Sequence, residues 1–137
     1  MAEEVRVRRG EGLAPSVEEY LHDWAERSGI AAEVWALPGQ AVPAHIADAV
    51  YATVVEALTN VERHSRAEHV SVAITLGAGG LRMTVSDDGI GYAAHRPGRL
   101  DGRGQAAMRA NFAKVGGTLT INSTLRGGTT ITGVIPV

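Results

Sequence analysis

A chain of 137 residues with 45% hydrophobic and 20% charged residues has the length and composition of one soluble globular domain. A net charge of −2 argues against a broad electrostatic grip on nucleic acid or acidic lipid, and no apolar run approaches the ~20 residues of a membrane span. The lack of cysteine excludes disulfides and thiolate metal sites and fits a reducing, cytoplasmic compartment.

The first residues, MAEEVRVRRG, lack the apolar centre of a signal peptide. Residues 1–14 read as a linker or an expression remnant, and a membrane anchor elsewhere in a longer parent protein is compatible with this. Ser16 to Arg27 follows Pro15 and carries Val17, Tyr20, Leu21 and Trp24 at helical spacing, with Gly29 as the stop. Trp24 and Trp35 read as core or packing residues rather than a ligand platform. Ile30 to Leu37 reads as a strand that ends at the turn Pro38-Gly39. Pro43 suits the first turn of a second helix, whose apolar stripe is Ile46, Val50, Val54, Ala57 and Val61 and which runs to about His64.

Val70, Val72, Ile74 and Leu76 alternate, and Leu81, Met83 and Val85 alternate again after Gly77 to Gly80. The pair is a hairpin. Alternation stops at SDDGIGY. Tyr92 to Arg103 has no period and reads as a mobile loop. Gln105 to Val115 is helical and closes at Gly116-Gly117. Thr118 to Asn122 and Thr129 to Val137 are strands around Arg126-Gly127-Gly128. The order αβαββ, loop, αββ fits an α+β fold: a two-layer α/β sandwich with a mixed sheet and helices on one face.

Four stretches carry candidate chemistry. In EALTNVERH, Glu56, Asn60 and His64 recur every four residues. Glu56 and Asn60 stand about 40° apart on a helical wheel, at the edge of the apolar stripe, where a helix lines a cleft. Asn offers a neutral carbonyl oxygen to a hard ion such as Mg²⁺, and a carboxylate one turn away can accept a proton. A solvated helix face is the alternative reading of the same residues.

In DDGIG, Asp87 to Gly91, a carboxylate at a strand end can accept a hydrogen bond from an exocyclic amine such as adenine's, while glycines let a flat ring approach the backbone. A strand-ending turn explains it equally. In GRGQAAMR, Gly102 to Arg109, glycines open a helix and expose N–H groups to phosphate. The dinucleotide fingerprint is rejected there, because no strand precedes it and Asn122 stands about 20 positions on, where an acid is needed. In RGGTT, Arg126 to Thr130, a hairpin turn accounts for the glycines and leaves the threonine hydroxyls.

In order and spacing the four together resemble the ATP-binding domain shared by histidine kinases, GyrB-type topoisomerases, Hsp90 and MutL, the Bergerat fold. EALTNVERHS resembles the N box, SDDGIGY and GRGQAAMR the two glycine boxes, and GGTT the closing threonine motif. The resemblance spans roughly Val17 to Val137, so 15–137 is taken as the catalytic domain. The short lid and the Met-Arg pair are most similar to kinases of the nitrate-sensor type, which pair with NarL-like response regulators.

The resemblance implies roles. Asn60 would bind Mg²⁺ bridging the ATP phosphates, Glu56 would be the polar or general-base residue of the N box, and His64 would support the phosphate end. Asp87 would bond the adenine amine between Gly89 and Gly91. Gly102 and Gly104 would hinge the lid, and Thr129 would help close the adenine pocket. Arg96, Arg99, Arg103 and His95 suit either a γ-phosphate contact or a solvated loop. Gln105 departs from the leucine usual after the second glycine, and Ala110-Asn111 from the usual Glu-Arg.

The implied reaction moves the γ-phosphoryl group of ATP to a histidine on a separate dimerisation domain. Leu21-His22-Asp23 imitates the sequence around such a histidine, but Asn60 follows only 38 residues later, too few for a helical hairpin plus the start of the ATP domain. The isolated domain is then expected to be a monomer without nucleic-acid or membrane contacts. Alternatives of the same fold are an anti-sigma-factor-type serine kinase and a degenerate nucleotide- or partner-binding module.

Overall fold

The computed structural model describes residues 12–89, 102–124 and 127–136. In chain order they form α1 (Leu13–Ser28), β1 (Ala31–Ala36), α2 (Ala44–Asn60), β2 (His69–Gly77), β3 (Gly80–Asp87), α3 (Gly102–Ala113), β4 (Thr118–Thr124) and β5 (Gly128–Ile135). A π-helical turn over Val61–Ser65 follows α2 directly.

The strands lie in the order β1-β2-β3-β5-β4. β1 and β2 are parallel and every other pair is antiparallel. A parallel pair needs a long crossover, and α2 supplies it. β2 and β3 need only a tight turn, and Gly77 pairs with Gly80 across it. The expected mixed sheet is therefore present.

Its sidedness follows from the period-two pattern. Val70, Val72 and Ile74 on β2 and Leu81, Met83 and Val85 on β3 are buried, whereas Thr75 and Arg82 on the other side are exposed. The three helices cover the buried side. Val17, Leu21 and Trp24 of α1, Val50, Val54, Ala57 and Leu58 of α2, and Met108 and Phe112 of α3 complete one core. Each large apolar side chain so buried contributes about 1.5–3 kcal/mol. Tyr20 and Tyr51 join α1 to α2 edge to face, with ring centroids 6.0 Å apart. Phe112 lies so close to Gly133 that a Cβ there would overlap the ring, so β5 needs glycine for α3 to dock.

Some boundaries differ from the sequence reading. α1 begins at Leu13, which is buried, rather than at Ser16. Pro15 is accommodated because first-turn N–H groups have no intrahelical partner to lose. Trp35 was expected to pack and is instead 69% exposed. It sits on the edge strand at an irregularity in register between Val34 and Ala36, and its indole N–H donates to Glu33 Oε1 at 3.1 Å. Among the described residues no helix is long and apolar enough to cross a membrane.

Candidate nucleotide site

β3 ends at Asp87. In register, Asp87 stands opposite Thr129 on β5, and Thr129 opposite Ser123 on β4. Alternation places Asp87 on the side of Val85, Thr129 on the side of Ile131, and Ser123 on the side of Ile121. The sheet thus presents a polar row at one strand end, on its helix-covered side. Thr129 is buried, and its Oγ1 lies 3.0 Å from Ser123 Oγ.

Asp87 is half-buried, and its Oδ1 accepts the Gly89 N–H at 2.8 Å. Burial pushes its carboxyl above the ordinary carboxylate range. Hydrogen bonds from the Gly89 and Thr129 N–H groups oppose that rise, and the neighbouring Asp88 charge adds to it. A carboxylate offers about four acceptor sites, so two backbone donors leave capacity for a ligand amine. Gly128 has φ +82°, and a Cβ on it would overlap the Asp87 carbonyl oxygen. Only glycine allows β5 to start so close to this acid.

The helical end of the site is α2. Asn60 is its last residue and is 4% exposed, an unusual setting for an amide side chain. Glu56 lies one turn earlier and is half-buried. The next five residues wind as a π-helix, a wider turn that recurs at functional sites. The four-residue ladder therefore holds from Glu56 to Asn60 and changes pitch before His64. Arg66 then takes a left-handed conformation, φ 55°, and turns the chain into β2.

Gly89 is buried beside Asp87. Gly91, His95, Arg96 and Arg99 lie outside the described residues. Gly102 and Gly104 form the first turn of α3, which starts three residues before the expected Gln105. The second glycine box is thus the helix N-terminus itself. Gln105 is half-buried, and Met108 is wholly in the core.

Two residues escaped the sequence reading. Ser123 could have been found, because the alternation that turns Ile121 toward the core puts Ser123 on the same side at the strand end. The close approach of Gly128 to Asp87 could not, since it depends on pairing between strands 41 residues apart in sequence. A cavity of about 220 Å³ lies beside β1 and β2, lined by Glu33, Trp35, His69, Ser71 and Ser86 and also by Asp87 and Asp88. Ser71 and Ser86 point away from the helices, and of the polar row only Asp87 borders this cavity.

Among the described residues no three acidic, histidine or cysteine side chains gather as a metal cage. A buried neutral amide oxygen at Asn60 fits an ion that takes most of its ligands from phosphate and water, as Mg²⁺ does.

This geometry has relatives. The chain belongs to the family of histidine kinase-, DNA gyrase B- and HSP90-like ATPases, whose model matches residues 45–137. Several proteins of similar sequence are sensor histidine kinases. The sensor histidine kinase MctS of Rhizobium johnstonii is 35% identical over 134 residues, which cover 96% of this chain and 29% of that protein. The sensor histidine kinase NarS of Mycobacterium tuberculosis is 32% identical over 119 residues, 85% of this chain and 28% of NarS. The chain therefore spans less than a third of the length of these curated relatives. The histidine kinase domain of the Erythrobacter litoralis EL346 blue-light activated kinase superposes with a TM-score of 0.77 over 91% of this chain and 61% of that one, at 24% identity, and shares the fold.

Proposed function

We propose that the domain binds Mg·ATP between the polar strand-end row and the end of α2, and donates the γ-phosphoryl group to a histidine carried by a separate helical dimerisation domain. The observation that carries this reading is Asp87: a half-buried carboxylate, held by the Gly89 and Thr129 N–H groups, at a strand end facing the helices. Partial burial strengthens its hydrogen bond to an exocyclic amine, because water competes less there. Thr129 and Ser123 extend the same wall.

Asn60 would contribute its amide oxygen to Mg²⁺, whose chemistry is to neutralise phosphate charge. Glu56, one turn away, would accept the proton that the attacking imidazole loses. The imidazole nitrogen forms the new N–P bond, the bond from the γ-phosphorus to the bridging oxygen breaks, and ADP leaves. His64 and the first turn of α3, with Gly102 and Gly104, would sit at the phosphate end, with Gly91 completing the adenine wall. The domain supplies positioning and electrostatics rather than a covalent intermediate. A cytoplasmic location and a NarL-like response regulator downstream complete the reading, supported by likeness to NarS.

Calorimetric titration of ADP and ATP, with and without Mg²⁺, on this chain and on Asp87→Asn is the test. Magnesium-dependent binding that is lost in the variant supports the reading. No binding by the unaltered chain sinks it and favours a degenerate module. Mixing the domain with a dimerisation domain and labelled ATP then checks transfer, and the domain alone should not label itself.

A further inference from the structure

Asp88 follows the adenine-reading residue and has no role in the site as described so far. Its surroundings are unlike those of a solvated turn residue. Oδ1 accepts the N–H of Glu68 at 2.9 Å and the N–H of His69 at 3.0 Å. Oδ2 lies 2.9 Å from His69 Nδ1. The Asp88 N–H donates to the His69 carbonyl at 3.2 Å, and the Glu68 carbonyl accepts the Ala31 N–H at 3.0 Å. One exposed carboxylate therefore ties the start of β2 to the end of β3, and Glu68 in turn bonds the start of β1.

Glu68 and His69 are also the residues at which the chain enters β2 after the π-turn and Arg66. Seven residues separate Asn60 from Glu68 along that path, and Ala67 within it is buried. Asp87, on the other side of the clamp, is bonded to Gly89. The stretch 87–89 is thus held twice: by Asp87 to the residue beyond it, and by Asp88 to the segment arriving from the helical end of the site.

We propose that Asp88 is a positioning residue for nucleotide recognition: its carboxylate ties the entry of β2 to the turn after β3 and so fixes where Asp87 stands relative to Asn60. This rests on the reading of Asp87 as the adenine contact. A charged acceptor bonded to two adjacent N–H groups is a stiff tether, because both donors share one oxygen and the imidazole holds the other. Loosening it lets the Asp87 turn rotate. A ligand whose base offers an amine then loses its advantage over one that does not.

The experiment compares ATP with inosine triphosphate, which has a carbonyl where adenine has its amine, by calorimetry on the full 137-residue chain. Asp88→Ala should lower the preference for ATP by about tenfold, the equivalent of about 1.4 kcal/mol. Asp88→Asn keeps one oxygen for the two N–H groups and should retain most of the preference. Melting curves accompany both. A merely structural role would lower the melting temperature and leave the ATP-to-inosine-triphosphate ratio as it was. That outcome overturns the proposal.

Should Asp88→Ala fail to fold, Asp88→Lys, with a cation facing the two N–H groups, and Asp88→Asn replace it. A ratio unchanged in the folded Lys variant overturns the proposal, and a graded fall from Asn to Lys supports it. Asp87→Asn is the reference. If the unaltered chain has no preference, the Asp87 reading itself falls and takes this proposal with it. If only Asp87→Asn erases the preference, the Asp87 reading stands and the proposal alone fails.

Discussion

Asp87 and Asp88 are neighbours in the chain and opposites in setting. Asp87 faces the helix-covered side of the sheet, where burial raises its carboxyl. Asp88 lies at the exposed end of the sheet, where the His69 N–H leads the hydrogen bonds that lower its carboxyl. The difference separates two uses of one residue type. On the proposed function, the acid that reads the ligand is kept partly dry at a cost to the empty domain. The acid proposed to hold the frame is kept charged and bonded to two backbone N–H groups and an imidazole, which stabilises the fold.

The largest effect to be expected tests the first half of that contrast. Asp87→Asn replaces an acceptor with a group that cannot take the same charge-assisted bond, and ATP affinity should fall about 10- to 100-fold, the range for a hydrogen bond to a charged partner. Calorimetry reads it. Stability should move the other way. The folded-state pKa of Asp87 is raised above 3.8, so the folded state holds its proton more tightly than the unfolded state does. Between the two pKa values stability falls as pH rises, and above the folded value the penalty is complete. The Asn variant lacks it. Melted without nucleotide near neutral pH, the variant should be at least as stable as the unaltered chain. A variant both unable to bind and clearly less stable would show that Asp87 is a structural acid, and the contrast would collapse.

Gly128→Ala comes next. It forces a side chain into a positive-φ position and against the Asp87 carbonyl. The cost should be about 1–3 kcal/mol of stability, read from denaturant midpoints. ATP binding should weaken with it, because the strand that carries Asp87 must shift. Gly133→Ala should cost a similar amount by displacing the Phe112 ring, without touching the polar row. The pair asks whether strain at β5 harms binding only where it meets the site.

Much of this is legible in the sequence. Period-two alternation located the β2–β3 hairpin, and the stripe Ile46, Val50, Val54, Ala57 and Val61 located α2, because both signals are local. The order of four short stretches indicated the family. What the sequence withheld is mostly pairing. Ser123 meets Thr129 and Gly128 meets Asp87 only when β4 and β5 close on β3. The exposure of Trp35 depends on β1 lying at the sheet edge, which a run of AAEVWA cannot reveal. The π-turn after Asn60 also escaped, since Val61 continues the apolar stripe and periodicity alone cannot register a wider winding.

The two aspartates should also separate by the sign of their pH response. Asp88 is depressed in the folded state, so its contribution is present above the unfolded value near 3.8 and is lost as pH falls through the folded value. Acidification below about 3.8 should therefore narrow the stability gap between the unaltered chain and Asp88→Asn, whereas acidification from the raised folded value of Asp87 down to about 3.8 removes the penalty that Asp87 imposes. Melting curves taken at several acidic pH values for the two Asn variants should show difference slopes of opposite sign. Equal signs would mean that the settings of the two acids are more alike than their hydrogen bonds indicate.

The smallest effect belongs to His69→Ala. The imidazole touches Asp88 Oδ2, but the two side chains are 69% and 50% exposed. Solvent-exposed pairs of this kind contribute about 0–1 kcal/mol, and salt screens them. The two backbone N–H bonds to Oδ1 do not need the imidazole, so the clamp should survive the substitution. Stability should fall by no more than about 1 kcal/mol, with most of that loss disappearing in high salt, and ATP affinity should change less than in Asp88→Ala. Were His69→Ala to weaken ATP as much as Asp88→Ala does, the imidazole rather than the backbone donors would be what orients the Asp88 carboxylate. The open side of the sheet would then hold its frame through an exposed side chain, and recognition at Asp87 would depend on a residue outside the polar row.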